Sequence, residues 1–401
     1  MVSYRTPGVY REDFFPTQPA PLPTGVPAFL GLASAGDPKV PQGLTLATQL
    51  PNAFGPPRPD GYLSAAVAGF FANQGERCFV VRLAEGGDPV AALAAGLASL
   101  APLDDVDLVC APDLFVTAGS GPQGLDTARR MQTAILEYCA SRGDLFALLD
   151  ALPGADVDAV VAQRQGLPGA TDRTDLRGTN GALYYPWLKI AGDGRFVPPC
   201  GHVAGIVARS DRQTGVHKAP ANEVVTGAVD LEVGLTDALQ ALLNPIGINA
   251  IRAFPGRGIR VWGARTLAYH EPDPARSSLE IWRYVNVRRI FLTAIRWIER
   301  NLGGVAFEPN DLKLWTRIKR ELRVYFEGQF RTGALKGRIP AEAFYVKCDA
   351  ETNPPEVREA GQVVTEIGLA PASPNEFVVV RIIHGSGGTG GVTLLGPTPG
   401  A

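Results

Sequence analysis

Short apolar runs recur through the first half of the chain: Ala28–Ala33, Cys78–Leu83, Val106–Ala111, Leu145–Asp150 and Leu183–Leu188. They lack polar alternation and are too short for buried helices, so they predict strands covered on both faces. Between them lie Tyr62–Asn73, Pro89–Leu100 and Leu125–Ser141, which predict helices. In the last, Ala128, Met131, Ile135, Leu136 and Cys139 recur close to a 3.6-residue period. Strands alternating with helices predict an α/β domain over 28–250 with a mainly parallel sheet. The stretch Arg164–Asn180 reads as loop.

The pattern changes after residue 250. Ser277-Ser278-Leu279-Glu280 has capping-box spacing and predicts a helix start. Tyr284, Val287, Phe291, Ala294 or Ile295, Ile298 and Leu302 then form one apolar stripe, ended by Gly303-Gly304. Val305–Glu308 reads as a short strand. Asn310 is placed to cap a second helix reaching about Phe330, with Leu314, Ile318, Leu322 or Tyr325, and Phe326 inward. Ala343–Cys348, Val363–Ala370 and Glu376–Ile383 predict strands. Residues 251–384 therefore read as a second, α+β domain.

Both ends differ from these two regions. Prolines 16, 19, 21 and 23 exclude helix and favour an extended arm over residues 1–27. About 25 extended residues span roughly 80 Å, enough to reach a neighbouring molecule. Gly8-Val9-Tyr10-Arg11 fits a short strand, and Val9, Tyr10, Phe14 and Phe15 are too apolar for a solvated tail. Residues 385–401, GSGGTGGVTLLGPTPGA, read as a flexible tail in which Val392–Leu395 suits a small strand on a partner's edge.

Composition adds mostly exclusions. Lys and Arg number 38 against 40 Asp and Glu, so no global charge points to nucleic acid or to a membrane surface. No apolar run approaches the roughly 20 residues that span a bilayer. The first residues lack a signal peptide's apolar stretch, so cytoplasmic assembly is expected. The cysteines, Cys78, Cys110, Cys139, Cys200 and Cys348, are odd in number and contain no CxxC, which argues against disulfides and zinc.

Candidate chemistry is sparse. Gly385, Gly387 and Gly390 satisfy GxGxxG after an apolar run, but eleven residues follow, two of them prolines and none acidic. A dinucleotide site needs a helix there and an acid about 20 positions on. Cys200 and His202 place a thiol near an imidazole without an orienting third group. His202, His217, His270 and His384 form no metal-ligand spacing. Asp104, Asp105 and Asp107 read as a helix-to-strand turn. No cofactor, metal or catalytic residue is expected. An α/β enzyme acting on nucleotides, or a hydrolase, is the alternative.

The main charge feature lies in residues 280–340, with 13 Lys and Arg against 6 Asp and Glu, a net of +7 in a chain of net charge −2. Trp282, Trp297 and Trp315 lie within it. Such a stretch reads as a solvated helix face or as a docking surface for an acidic protein or nucleic acid.

The segments WRYVNVRRIFLTAIRWIERNLGGVAFEPNDLKLWTRIKR (282–320), GALKGRIPAEAFYVKCDAETNPPE (333–356) and EIGLAPASPNEFVVVRI (366–382) resemble the C-terminal part of contractile tail sheath proteins. TPGVYRED (6–13), PLPTGVPAFLGLA (21–33), APANEVVTGAVDLE (219–232) and PGRGIRVWGARTL (255–267) are similar to the same family in the same order. The resemblance covers most of the chain. It implies a structural, non-enzymatic subunit that assembles with itself as stacked hexameric rings around an inner tube. Baseplate and cap or terminator proteins would be further partners, with neither nucleic acid nor membrane insertion, in a phage tail or tail-like particle that is released from the cell. It implies an inner α+β domain built from both chain ends, an inserted α/β outer domain, and strand-donating arms. Gly8, Val9, Tyr10 and Phe14, together with Phe377, Val378, Val379, Val380 and Arg381, would form the inter-subunit strands. Arg288, Arg289, Arg296, Lys313, Arg317, Lys319 and Arg320 would form a basic surface facing the tube or an adjacent protomer.

Overall fold

The apolar runs become strands buried on both faces, and their burial sets the architecture. The computed structural model describes residues 22–172, 174–192, 194–268, 280–372, 378–385 and 392–394. The strands are β1 (Pro27–Gly31), β2 (Gln42–Leu44), β3 (Cys78–Arg82), β4 (Leu108–Cys110), β5 (Phe146–Asp150), β6 (Gly181–Tyr185), β7 (Leu188–Ile190), β8 (Phe196–Val197), β9 (Glu223–Val224), β10 (Ala228–Leu231), β11 (Ile248–Phe254), β12 (Gly258–Val261), β13 (Phe344–Lys347), β14 (Gln362–Leu369), β15 (Val378–Gly385) and β16 (Val392–Leu394). The helices are α1 (Leu50–Phe54), α2 (Leu63–Ala72), α3 (Pro89–Ala98), α4 (Leu114–Ala118), α5 (Gly121–Arg142), α6 (Val157–Gln165), α7 (Cys200–Gln213), α8 (Asp237–Leu243), α9 (Val285–Leu302), α10 (Leu312–Arg331), α11 (Pro340–Ala343) and α12 (Pro355–Glu359).

A nine-stranded sheet runs β2-β3-β1-β4-β5-β6-β11-β12-β9. Pairing from β3 across to β11 is parallel, and the outer strands β2, β12 and β9 add antiparallel edges. Strand alternation divides its two faces. Ala28 and Leu30 pack with Leu93 and Leu97 of α3 and Met131 and Ile135 of α5. Phe29 points the other way, into a core with Val67 and Phe70 of α2 and Val203 and Val207 of α7. The α2–α7 crossing requires glycine, because a Cβ on Gly201 would sit 2.2 Å from the carbonyl oxygen of Ala66. A small sheet, β10-β7-β8, lies outside the large one.

The C-terminal residues build a four-stranded antiparallel sheet, β13-β14-β15-β16, against α9 and α10. α9 joins the two halves. Val285 and Leu292 enter the core of α2 and α7, while Val287, Phe291, Ile298 and Leu302 enter the core of α10 and β14. Among the described residues, no helix is long and apolar enough to cross a membrane.

The structure moves several expected boundaries. The division at residue 250 falls inside β11, which pairs with β6, so β11 and β12 extend the large sheet past it. Cys200 and His202 lie on helix α7, which buries nearly its whole circumference. The expected loop at 164–180 opens on the end of α6 and closes on a 3-10 turn, Leu176–Asn180. Residues 277–279 of the predicted capping box lie outside the described residues. α9 itself starts at Val285, because extended Tyr284 bridges to Arg265. Val305–Glu308 forms no strand: only Val305 is buried, and it ends a 3-10 turn. Asp311, not Asn310, caps α10, accepting from the backbone N–H of Lys313 and Leu314. Asn310 is occupied elsewhere, donating to the Gln362 carbonyl and accepting from the Trp315 indole.

Candidate assembly surfaces

The positions weighed for chemistry are internal. Cys200 opens α7, and its backbone N–H donates to the buried carboxylate of Asp150 at 2.8 Å. Burial pushes the Cys200 thiol well above its ordinary value, and burial pulls His202 down to about 4. Neither side chain is exposed to a substrate. Among the described residues, the segments on either side of the glycine motif are the antiparallel strands β15 and β16, whereas a pyrophosphate site needs a helix N-terminus there. Among the described residues, no three His, Cys, Asp or Glu side chains are grouped as metal ligands.

The basic stretch divides into two kinds of residue. Arg288, Arg289 and Arg296, expected on an outward surface, are buried, at 3%, 2% and 3% exposure. Arg289 bonds Asp211 through two nitrogens at 2.8 and 2.6 Å and Asp107 at 2.9 Å. Burial works against its charge, but the two carboxylates outweigh that and hold it above its ordinary value. Burial raises Asp211, with Arg289 opposing the rise. Arg296 donates to the carbonyls of Pro23, Asp104 and Asp105. Arg288 bonds the side chain of Asn180 and lies over the Trp282 ring, and burial alone lowers it to about 10. Asp107 and Asp211 lie 182 and 78 residues away from Arg289, so the local sequence pattern does not mark them as its partners. One signal was available: Val285, Ile290 and Leu292 fall off the predicted stripe, which marks a helix buried all round.

Lys313, Arg317 and Arg320 face solvent on α10, and Lys319 is half-buried. Arg317 pairs with Glu308 at 2.5 Å and Glu321 at 3.0 Å. Exposed Leu312 and Val324 flank this face, and a shallow depression of about 370 Å³ is lined by Leu312, Lys313, Thr316, Arg317 and Arg320. The helix is therefore inward through Leu314, Ile318, Leu322 and Phe326 and basic outward.

β15 carries Val378 to Arg381 in the interior of the four-stranded sheet, pairing with β14 on one side. On the other side β16 covers only part of it, opposite Val380 to Ile382. Val392–Leu394 thus pairs with an edge of its own chain. Phe377 and the arm positions Gly8, Val9, Tyr10 and Phe14 lie outside the described residues.

Comparison with known proteins gives this geometry a family context. The family model for the phage tail sheath protein central domain matches residues 88–267, and that for the phage tail sheath C-terminal domain matches residues 277–383. The tail sheath protein of Vibrio phage KVP40 is 27% identical over 207 residues, which is 51% of this chain and 29% of that protein. The tail sheath protein of Enterobacteria phage T4 is 23% identical over 326 residues, 75% of this chain and 47% of that protein. The chain spans about a third to a half of the length of the curated relatives it matches. A chain of the anti-feeding prophage baseplate is similar at 28% identity and a TM-score of 0.70, covering 94% of this chain and 98% of that one. A chain of an extracellular contractile injection system, the PVC sheath complex in its contracted state, is similar at 27% identity and a TM-score of 0.70, with 94% and 97% covered.

Proposed function

The chain belongs to the phage tail sheath family, and from that membership we propose that it is the sheath subunit of a contractile injection system. The observation that carries this reading is the near end-to-end likeness to a chain of a contracted sheath, with 94% of this chain and 97% of that one covered. In this reading the subunits stack as hexameric rings around an inner tube, anchored at a baseplate and closed by a cap or terminator protein. The protein is a structural component rather than an enzyme, assembled in the cytoplasm into a particle that is released from the cell.

Two features of the chain support the reading. Among the described residues, β16 pairs with only Val380 to Ile382 of β15, and an extended strand can add along the rest by backbone bonding alone. Gly8, Val9, Tyr10 and Phe14 of one subunit supply that strand to another, and Phe377 to Arg381 form the strand that receives it. Lys313, Arg317, Lys319 and Arg320 of α10 face an acidic tube or an adjacent protomer, where opposite charge sets orientation and approach rate. Residues 1–27 and 385–401 then serve as linking segments, residues 28–250 as an outer α/β body, and residues 251–384 as the inner conserved body, with its boundary shifted past β12. The extended sheath is metastable. A trigger at the baseplate lets rings rotate and compact, and the more favourable interfaces of the contracted state drive the tube through a target envelope. The work comes from two arrangements of the same surfaces.

Electron micrographs of the purified full chain at high concentration test the proposal. Long tubes are expected, and a strictly monomeric protein overturns it. Deleting residues 1–20 should leave a folded protein that forms no tubes. Normal tubes from that deletion would refute the linking role of the arm.

A further inference from the structure

Residues 23–26, where the described chain begins its approach to β1, are held by a density of polar contacts that the packing of one strand does not require. The Pro23 carbonyl accepts from Arg296 at 2.9 Å. The backbone N–H groups of Gly25 and Val26 donate to the two carboxylate oxygens of Asp107, at 3.0 and 2.7 Å. The Val26 carbonyl accepts from the N–H groups of Asp107 and Leu108. Gly25 has φ +68°, and a Cβ there would lie 2.4 Å from the Cα of Ala208 on α7, so the segment is seated directly on that helix.

Asp107 and Asp211 are themselves fixed by Arg289, and Arg296 comes within 4.0 Å of Asp107. Two carboxylates and two guanidiniums thus balance in a site with exposures of 2% to 8%. Both arginines belong to α9, the helix shared by the two halves of the molecule. A buried cluster of this kind is poor at adding net stability but keeps its geometry sharply, since any slippage leaves a charge unpaired in the interior.

We propose that Asp107, Asp211, Arg289 and Arg296 form a mechanical anchor that passes tension on the N-terminal segment into α9 and α7. Without it, tension would peel β1 from between β3 and β4. The reason for such tension rests on the reading of residues 1–27 as a link between subunits. The anchor itself is a property of one chain. A load entering at Pro23 meets Arg296 first, then the Asp107 carboxylate, and reaches both apolar cores through α9 before the β1 ladder bears it.

Single-molecule pulling on the full chain tests this, with handles on cysteines introduced by Ser3→Cys and Thr316→Cys; the five native cysteines are buried. Arg296→Met and, separately, Gly25→Ala break the seat while leaving the Arg289 pairs in place. Each is expected to release residues 22–31 as a separate early step that frees about 35 Å of contour length. That step should come at roughly half the force the parent chain sustains, as three carbonyl bonds or the α7 contact are lost. A control pair of handles, Gly86→Cys and Thr316→Cys, loads the molecule without passing through residue 23. There both variants should match the parent. The proposal is overturned if no early step appears in either variant, or if both weaken equally along the control axis, which would make the cluster a general stabiliser. Because single chains are pulled, these outcomes are independent of whether micrographs show tubes.

Discussion

α9 and α10 come from the same basic stretch, and they treat their cations in opposite ways. α9 buries Arg288, Arg289 and Arg296, whereas α10 turns Lys313, Arg317 and Arg320 to solvent. The difference lies in what each helix packs against. α10 covers one core with one face and needs no polar partner behind it. α9 lies between two cores, so Arg288, Arg289 and Arg296 are enclosed and must find partners. Asp107 from the strand edge and Asp211 from α7 supply charge, and the carbonyls at Pro23, Asp104 and Asp105 supply acceptors. An excess of positive charge along a sequence therefore says little about a surface until the packing of each helix is known.

The largest test of that contrast is Arg289→Met. It leaves Asp211 buried without its guanidinium and Asp107 with only Arg296 at 4.0 Å, and should cost about 3–5 kcal/mol in urea unfolding. A double-mutant cycle with Asp211→Asn should show coupling of about 1 kcal/mol or more. Zero coupling would mean that Arg289 is held by packing and not by its partners.

A smaller effect is expected where a buried charge has no cation at all. Burial raises Asp150 to about 7 despite the N–H of Cys200. The folded value lies above the unfolded one, so its contribution is fully present below about pH 4 and is lost as the pH rises to about 7. Asp150→Asn keeps an acceptor for Cys200 and removes that loss, roughly 2–4 kcal/mol across the window. His202 acts in the opposite sense: lowered to about 4, its contribution is lost as the pH falls from 6.5. Comparing stability against pH for the parent and Asp150→Asn isolates the carboxylate, and parallel curves would rule out its burial as a charge.

The smallest effect on stability is expected on α10. Reversing Lys313, Arg317 and Arg320 to Glu should leave the unfolding midpoint within about 2 °C, since exposed ion pairs contribute little. The same variant should lose salt-sensitive association with an acidic tube protein in cosedimentation. A large fall in midpoint with association intact would reverse the comparison between the helices.

Much of this was legible from local pattern. β1, β3, β4 and β5 were visible because a strand covered on both faces must be apolar throughout. α5 and α10 were visible because a one-sided helix writes its period into the sequence. α7 was missed: Cys200-Gly201-His202 breaks the apolar pattern, and only the α2 contact explains why glycine and a neutral imidazole sit inside a helix. The cap of α10 was placed one residue early, since Asn310 and Asp311 are both capable and only the Gln362 and Trp315 contacts decide between them.

The sequence by itself determined the alternation of strands and helices, the change of pattern after residue 250 and the likeness to tail sheath proteins. These rest on spacing within a few residues, or on strings of residues, and need no partner. Only the tertiary structure decided which cations are interior, that Asp107 belongs to Arg289 and not merely to a turn, and that β11 and β12 complete the first sheet. Those outcomes depend on groups 78 to 182 residues apart coming within hydrogen-bonding distance. A buried charge is settled by its partner, and a partner so distant leaves no local trace.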